Sequence, residues 1–396
     1  MAGIVFNRGQ GGLGRQQPGE DYISGFVFQN TTALLSGAVQ KVTTLAEAET
    51  LGVTVAAYPI ENYHISEFFT MAENVNGLAQ GILYFIIENI ATTTYDGTEI
   101  ETIQNFAEGD IRQVGVFLYD PFLSAMVTDS QAKATTLETE DKPLSVLLAA
   151  DFTATTVSAL ADMRALASKN VSVVIGEDAD GVGGALATAE STSITCLGAS
   201  LGIVSTASVH LNIGWRQEFD VTHSTEYAVL NFATGEAYLT QSAATITATT
   251  LLGYIFLVKE TGINGSFHND SPTADLITSD YAFLENNRTI DKAVRLVRQN
   301  LINKISGPLY TDSFTGKISE ATIADYSNDA FKALENMAAN GEISTNADGE
   351  LPVNSVTIDP DQDVLATSNI VIAIRIVPVG VARTITVNIG FAVSIS

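Results

Sequence analysis

The sequence predicts a mixed α/β protein. A doubly covered mixed sheet forms the body, an α+β domain follows it, and an extended strand arm lies at each end. Three observations carry this reading. Near-continuous apolar runs alternate with helical segments between residues 21 and 260, the pattern of strands buried on both faces. Two long helical patterns, then strand patterns, occupy the last third. A lone apolar triplet opens the chain and a strict period-two pattern closes it. The 396 residues thus divide into an arm over 1–20, an α/β middle region of one or two domains over 21–260, a C-terminal domain over 261–382 and a strand arm over 383–396.

Taken in order, Ile4, Val5 and Phe6 form a short strand with no partner nearby, followed by glycines at 9, 11, 12, 14 and 19. Such a segment is an arm, disordered or ordered by a partner. Ile82 to Ile87 is a buried strand, Glu99 to Phe106 a short helix, and Val114 to Tyr119 the next strand. The stretch 126–142 reads as a polar linker. Leu144 to Ala150 is a third strand and Val171 to Ile175 a fourth. Between them Val157, Leu160, Met163 and Leu166 place an amphipathic helix over 155–168. Residues 261–280 are rich in turn formers. A long helix over 281–305 presents Ile290, Val294, Val297, Leu301 and Ile305 on one face, and Gly307-Pro308 stops it. A second helix spans 319–340, with Ser319 as N-cap and Gly341 as its stop. Strands follow over 353–358 and 370–377. At the end, Ile385, Val387, Ile389, Phe391, Val393 and Ile395 alternate with small and polar residues. That is a half-buried strand, able to dock in its own sheet or to complete a neighbour's by strand addition. An orphan strand at each end favours exchange between subunits.

Composition narrows the function classes. Forty-five acidic residues face 19 basic ones, a net charge of -26. Duplex binding needs Lys and Arg to displace counterions, so no nucleic-acid partner is expected, and an anionic membrane is an equally poor partner. No apolar run approaches the roughly 18 residues of a membrane span, and no secretory leader is recognised at the start. The single cysteine, Cys196, lies in an apolar stretch and reads as a small core residue. Assembly in a bacterial cytoplasm fits these features.

Several motifs imitate chemistry. Gly9-Gln10-Gly11-Gly12-Leu13-Gly14 matches the dinucleotide fingerprint, but Pro18 and Gly19 follow where a helix should start. Gly198-Ala199-Ser200-Leu201-Gly202 matches the hydrolase nucleophile elbow. The histidines that could serve Ser200 are His210, His223 and His268, and only Asp220 with His223 keeps the usual acid-then-histidine order. Close helix packing through small residues is the better reading. His64 and the other histidines show no metal-ligand spacing. Asp178-Ala179-Asp180-Gly181 lacks the closing glutamate of a calcium loop. No phosphate-cradling GxxxxGK[ST] occurs. No cofactor, metal or catalytic residue is therefore assigned, and the chain reads as a non-enzyme.

Asp280-Tyr281-Ala282 leads into Arg288-Thr289-Ile290-Asp291-Lys292-Ala293, a second helix ends in Asn340-Gly341, and closing strands run through Ile376-Val377-Pro378-Val379 and 385–395. In this order the C-terminal third resembles the C-terminal domain of contractile tail sheath proteins of phages, R-type pyocins and related injection systems. Gly3-Ile4-Val5-Phe6 with Gly12-Leu13-Gly14-Arg15 is similar to the N-terminal arm of one branch. Gly198-Ala199-Ser200 through Ile213-Gly214-Trp215 is similar to a helix and turn of the sheath middle domain. The resemblance implies a subunit that stacks around an inner tail tube and donates its terminal strands to neighbours. It also implies baseplate and terminator proteins as partners, contraction without nucleotide, and a place in a virion tail or injection particle. The alternatives are another structural tail or surface-layer component, or an α/β hydrolase built on Ser200. Within the sheath reading, Arg288, Lys292 and Arg295, spaced four and three apart, share a helix face, and the expectation is that this face points at an acidic tube.

Overall fold

The computed structural model describes residues 21–30, 37–76, 81–89 and 95–387. The predicted N-terminal arm and residues 388–396 of the C-terminal one lie outside them. The body opens with β1 (Ile23–Asn30), β2 (Gln40–Val42), α1 (Leu45–Thr50), α2 (Pro59–Asn76) and β3 (Ile82–Asn89). It continues through α3 (Thr98–Phe106), β4 (Gln113–Pro121), α4 (Ser124–Thr139), β5 (Ser145–Asp151) and β6 (Val171–Val174). Then come β7 (Gly176–Asp178), α5 (Val182–Glu190), α6 (Leu197–Thr206), β8 (Leu230–Phe232) and α7 (Ala243–Leu251). The short strands β9 (Tyr254–Ile255), β10 (Leu257–Val258) and β11 (Phe267–His268) complete it.

Seven strands make one sheet in the order β2-β3-β1-β4-β5-β6-β9. Every pairing is parallel except β2 on β3. From β1 the chain winds outward to β3 on one side, then returns to build β4, β5 and β6 on the other, a doubly wound order. Side chains of β1 alternate between two apolar clusters. Ile23 and Val27 join Ile100, Ile103, Met126 and Leu137 of α3 and α4. Phe26 and Phe28 join Ile65, Phe68, Leu201 and Val204 of α2 and α6.

Two body segments depart from the sequence expectation. The polar stretch 126–142 is mostly helix α4, which buries Met126, Val127, Ser130, Ala134 and Leu137. Its buried stripe contains Ser and Ala, so apolar periodicity under-reports it. The helix expected over 155–168 is instead two 3-10 turns, Val157–Ala159 and Met163–Leu166. Leu160 between them is extended, with ψ of 137°. Val157, Leu160 and Met163 are buried, from the first turn, the link and the second turn respectively.

The Gly198–Gly202 stretch is a close contact between helices. Both glycines lie on α6 against α2. A Cβ at Gly198 would stand 2.4 Å from the His64 carbonyl oxygen, and one at Gly202 2.6 Å from that of Phe68. Residues four apart share a helix face, so the pair forms a flat track along which the two backbones approach.

The last third contains α8 (Leu284–Leu301), α9 (Glu320–Ala339), β12 (Val356–Ile358), α10 (Val364–Thr367) and β13 (Ile372–Ile374). Ser319 caps α9 by accepting from the Thr322 amide, and Gly341 follows its end at φ +71°. β12 and β13 pair antiparallel over three residues each, less than the strand patterns suggest. A separate apolar cluster joins Ala293 and Leu296 to Ala330, Leu334, Met337, Ile343 and Val356, with Ile372, Ile374 and Ile376 packed against it. Among the described residues no helix is long and apolar enough to cross a membrane.

Gly202→Val is expected to destabilise the protein by about 1–3 kcal/mol, the usual cost of overpacking. The measurement is a lower urea midpoint at unchanged slope. A midpoint equal to wild type would mean that the α2–α6 approach is not a constraint on this fold.

Candidate functional site

Helix α8 enters the body with charged residues inward. Arg288 is 4% exposed. Its Nη2 donates to the carbonyls of Val204 at 2.7 Å and Ala207 at 2.9 Å. These belong to the end of α6, where a helix leaves its last carbonyls without partners of its own. Lys292 Nζ reaches Asp21 Oδ2 at 2.6 Å and Glu342 Oε1 at 2.5 Å, and Arg295 Nη2 meets Asp21 Oδ1 at 2.8 Å. Asp21 stands just before β1, and Glu342 just after Gly341. Burial pulls Arg288 down to about 10 and pushes Asp291 up to about 6. Burial also raises Glu342, although Lys292 opposes the shift.

This corrects the expectation that Arg288, Lys292 and Arg295 face a tube. They do share a face, but that face is occupied by the chain's own carboxylates and carbonyls. The apolar stripe is only partly covered: Val297 and Leu301 pack against the C-terminal cluster, whereas Val294 and Ile305 are exposed and Ile290 is half-buried. Lys292's acidic partners lie 271 and 50 residues away, so no local pattern reveals them.

Ser200 and His268, named separately from the sequence, do come together: Oγ and Nε2 are 2.8 Å apart. Both residues are fully buried. Ser200 sits on α6 after the N-cap Cys196, not on a turn between strand and helix. Its hydroxyl also reaches the Cys196 carbonyl at 2.9 Å, and its bond to His268 runs in the direction that the imidazole tautomer sets. Burial holds His268 near 3, neutral at any ordinary pH. His64 is likewise buried, at about 3, among Phe26, Phe28, Tyr63 and Phe117. Cys196 is a buried core residue, its thiol pushed up to about 12 by burial.

The Asp178–Gly181 stretch is a turn that starts a helix. Asp178 accepts from the amides of Gly181 and Tyr227, and Glu226 accepts from the amide of Val182 at the start of α5. Beside it, Tyr63 and Tyr227 share a hydrogen bond of 3.1 Å, and His223 Nε2 lies 3.1 Å from Glu67 Oε1. That hydrogen bond raises His223 to about 8, against an opposing burial effect. Among the described residues no group of three His, Cys, Asp or Glu is placed to hold a metal ion.

The chain ends concern the predicted exchange strands. Ile4, Val5, Phe6, Ile389, Phe391, Val393 and Ile395 lie outside the described residues. Ile385 and Val387 are exposed and belong to no strand. Just before them, Arg383 Nε meets Asp270 Oδ2 at 2.9 Å, Nη2 bonds Glu285, and the guanidinium lies 3.4 Å from the centre of the Phe283 ring. Between α8, α9 and β13 an open cavity of about 760 Å³ is lined by Leu301, Ile305, Tyr326, Leu365, Ile370 and Ile372, among others.

Against known proteins, the family "DUF2586, N-terminal domain" matches residues 1–271 and "DUF2586, C-terminal domain" matches residues 280–396. No curated protein sequence matches the chain. Among solved structures, the chain is similar to one in the cryo-EM structure of the anti-feeding prophage baseplate, 6-fold symmetrised. The identity is 13%, the TM-score 0.64, and 99% of each chain is covered. It is also similar to the crystal structure of the sheath tail protein from Desulfitobacterium hafniense, at 11% identity and a TM-score of 0.53, covering 91% of this chain and 94% of that one. At such identities the likeness is one of fold, and that fold is the sheath type which the sequence resembles. The chain belongs to the DUF2586 family.

The Glu67–His223 pair gives a pH test. His223 titrates near 8 when folded and near 6.5 when unfolded. Its contribution is therefore complete below about pH 6.5 and lost as pH rises through 8. By NMR titration His223 is expected near 8 in wild type and shifted toward 6.5 in Glu67→Gln. An equal value in both proteins would mean that the pair does not form.

Proposed function

We propose that this DUF2586 chain is a structural subunit of a contractile injection machine. It polymerises with copies of itself into a sheath around an inner tube and contracts to drive the tube through a target envelope. The observation that carries the reading is the end-to-end match: 99% of this chain aligns with 99% of a chain in the baseplate assembly of a prophage, so the body and the domain from α8 to β13 recur together in one order. The sheath tail protein covers nearly as much. Head-to-tail contacts between copies generate rings when they close and helical filaments when they do not, which suits both assemblies.

Contraction in this reading is a two-state change of subunit contacts, with the energy stored on assembly and no nucleotide consumed. The terminal strand patterns at 4–6 and 385–395 supply segments that neighbours exchange by strand addition. The partners are other copies of the chain, an inner tube protein, and baseplate and terminator proteins. No catalytic step is required, and the full burial of Ser200 within α6 supports a structural role for that residue.

A second reading is a ring-forming baseplate subunit on the same fold. The higher-scoring of the two structures, at a TM-score of 0.64 against 0.53 for the sheath protein, is that of a baseplate assembly, and this favours it. The two differ in where assembly stops: a sheath subunit extends into cylinders, whereas a baseplate subunit closes into a ring.

Negative-stain images of the purified protein are expected to contain long hollow cylinders. Discrete rings of fixed size would favour the baseplate reading, and monodisperse small particles at high concentration would count against both. Deleting residues 384–396, or residues 1–20, should abolish polymerisation while the melting transition stays cooperative; polymers from either truncation would sink the exchange idea for that end. Ser200→Ala should assemble like wild type, and labelling of Ser200 by a serine-directed phosphonate would instead restore the hydrolase alternative.

A further inference from the structure

We propose that Arg383 is a positioning residue for assembly: it clamps the root of the C-terminal arm onto the N-terminal end of helix α8, and so fixes where and in what direction the arm leaves the subunit. This rests on the reading of residues 384–396 as an exchanged strand.

The geometry shows a built socket. Asp270, Phe283 and Glu285 come from the turn-rich segment before α8 and from its first turn. Arg383 uses all three, with Nε on Asp270, Nη2 on Glu285 and the guanidinium plane over the Phe283 ring. Stacking and forked donation together are what arginine offers and lysine does not. The socket is held without help from Arg383. Glu285 also accepts from Ser271 Oγ, Asn212 Nδ2 donates to both Asp270 and Glu285, and the Ser271 amide donates to Asp270. Arg383 itself is one-third exposed, whereas Glu285 is 3% exposed. The arginine is thus the removable half of the pair.

The route of the chain shows what the clamp changes. Before it, the chain is tied to the C-terminal domain by the Ser344 amide on the Val377 carbonyl and by Ser344 Oγ on the Pro378 carbonyl. Arg383 then carries the chain onto the socket beside the body. With the clamp, the arm starts at residue 384; without it, the last tie is Pro378, and residues 379–383 join the free tether. A longer, undirected tether lowers the effective concentration of the strand at a neighbour's sheet, and its extra residues must be ordered again on docking. A rigid root removes that cost in advance. The other end of the chain is treated alike: Asp21, just after the predicted N-terminal arm, is held by Lys292 and Arg295 of the same helix.

The test measures the critical concentration for polymerisation by sedimentation, with thermal melting in parallel, for wild type, Arg383→Ala and a truncation lacking residues 384–396. The expectation is no polymer from the truncation, and for Arg383→Ala a critical concentration raised at least about tenfold, since ordering even one of residues 379–383 costs that much, with a moderately lower melting temperature from the unmatched Glu285 carboxylate. An Arg383→Ala protein that polymerises at the wild-type concentration overturns the clamp. A truncation that polymerises normally overturns the exchange reading itself, and the two failures are distinguished by which variant departs from expectation. Should Arg383→Ala melt far lower, Arg383→Lys is measured in its place. It keeps the charge and loses the fork and the stack, so a raised critical concentration supports the clamp and an unchanged one overturns it.

Discussion

The structure depends on one buried ionic junction. Lys292 joins Asp21, two residues before β1, to Glu342, three residues after α9; Arg295 reinforces the first of these, and Arg288 closes the open end of α6. The beginning of the sheet, a central helix of the body and the C-terminal domain thus meet on one side of α8. Such pairs contribute little net stability over an apolar contact, but removing one partner leaves a charge unmatched at a cost of roughly 3–5 kcal/mol. The junction therefore acts mainly as a specification. An alternative docking of α8 would strand three cations away from water, whereas the apolar stripe on its other side could slide with little penalty. The orientation of the C-terminal domain on the body is set by charge, and its interior by Ala293, Leu296, Leu334 and Met337.

The polar interior of the body follows the same logic. Ser200, His268, Tyr63, Tyr227, Glu67 and His223 form short pairwise links, from α6 to β11 and from α2 to the loop before β8. Buried groups of this kind are costly unless paired, so each link holds a segment in a single position. Gly198 and Gly202 bring α6 within backbone reach of α2, and this leaves room for only one arrangement of the side chains around them.

The legible parts of the sequence were those governed by local rules. The strands β3, β4, β5 and β6 appear as apolar runs because both their faces are buried, and α9 is bounded by Ser319 and Gly341 because caps are local chemistry. Helix α4 was hidden because its buried stripe includes Ser130 and Ala134. The reading of 155–168 failed because its apolar residues come from two short turns and the extended link between them, not from one helix face. The face of α8 was misread for a deeper reason. Periodicity assumes that apolar residues go inward, and here Asp21 and Glu342 made the charged side the better-satisfied one. The pairing of Ser200 with His268 spans 68 residues and leaves no trace in spacing. The sheath-type fold was recognisable only through the order of short motifs, since each one alone is common.

The sheet has a further consequence at its borders. β2 at one margin is three residues long, runs against its neighbour and carries the exposed Lys41; β9 at the other is two residues long. Short, charged margins offer few free amides and carbonyls to a foreign strand. A broad parallel sheet with open borders would be a hazard in the proposed assembly, where identical margins of neighbouring copies could join at random. Here the largest hydrogen-bonding surface in the molecule is closed to such joining. In the proposed assembly, strand addition is left to the small two-stranded sheets β7–β8, β10–β11 and β12–β13.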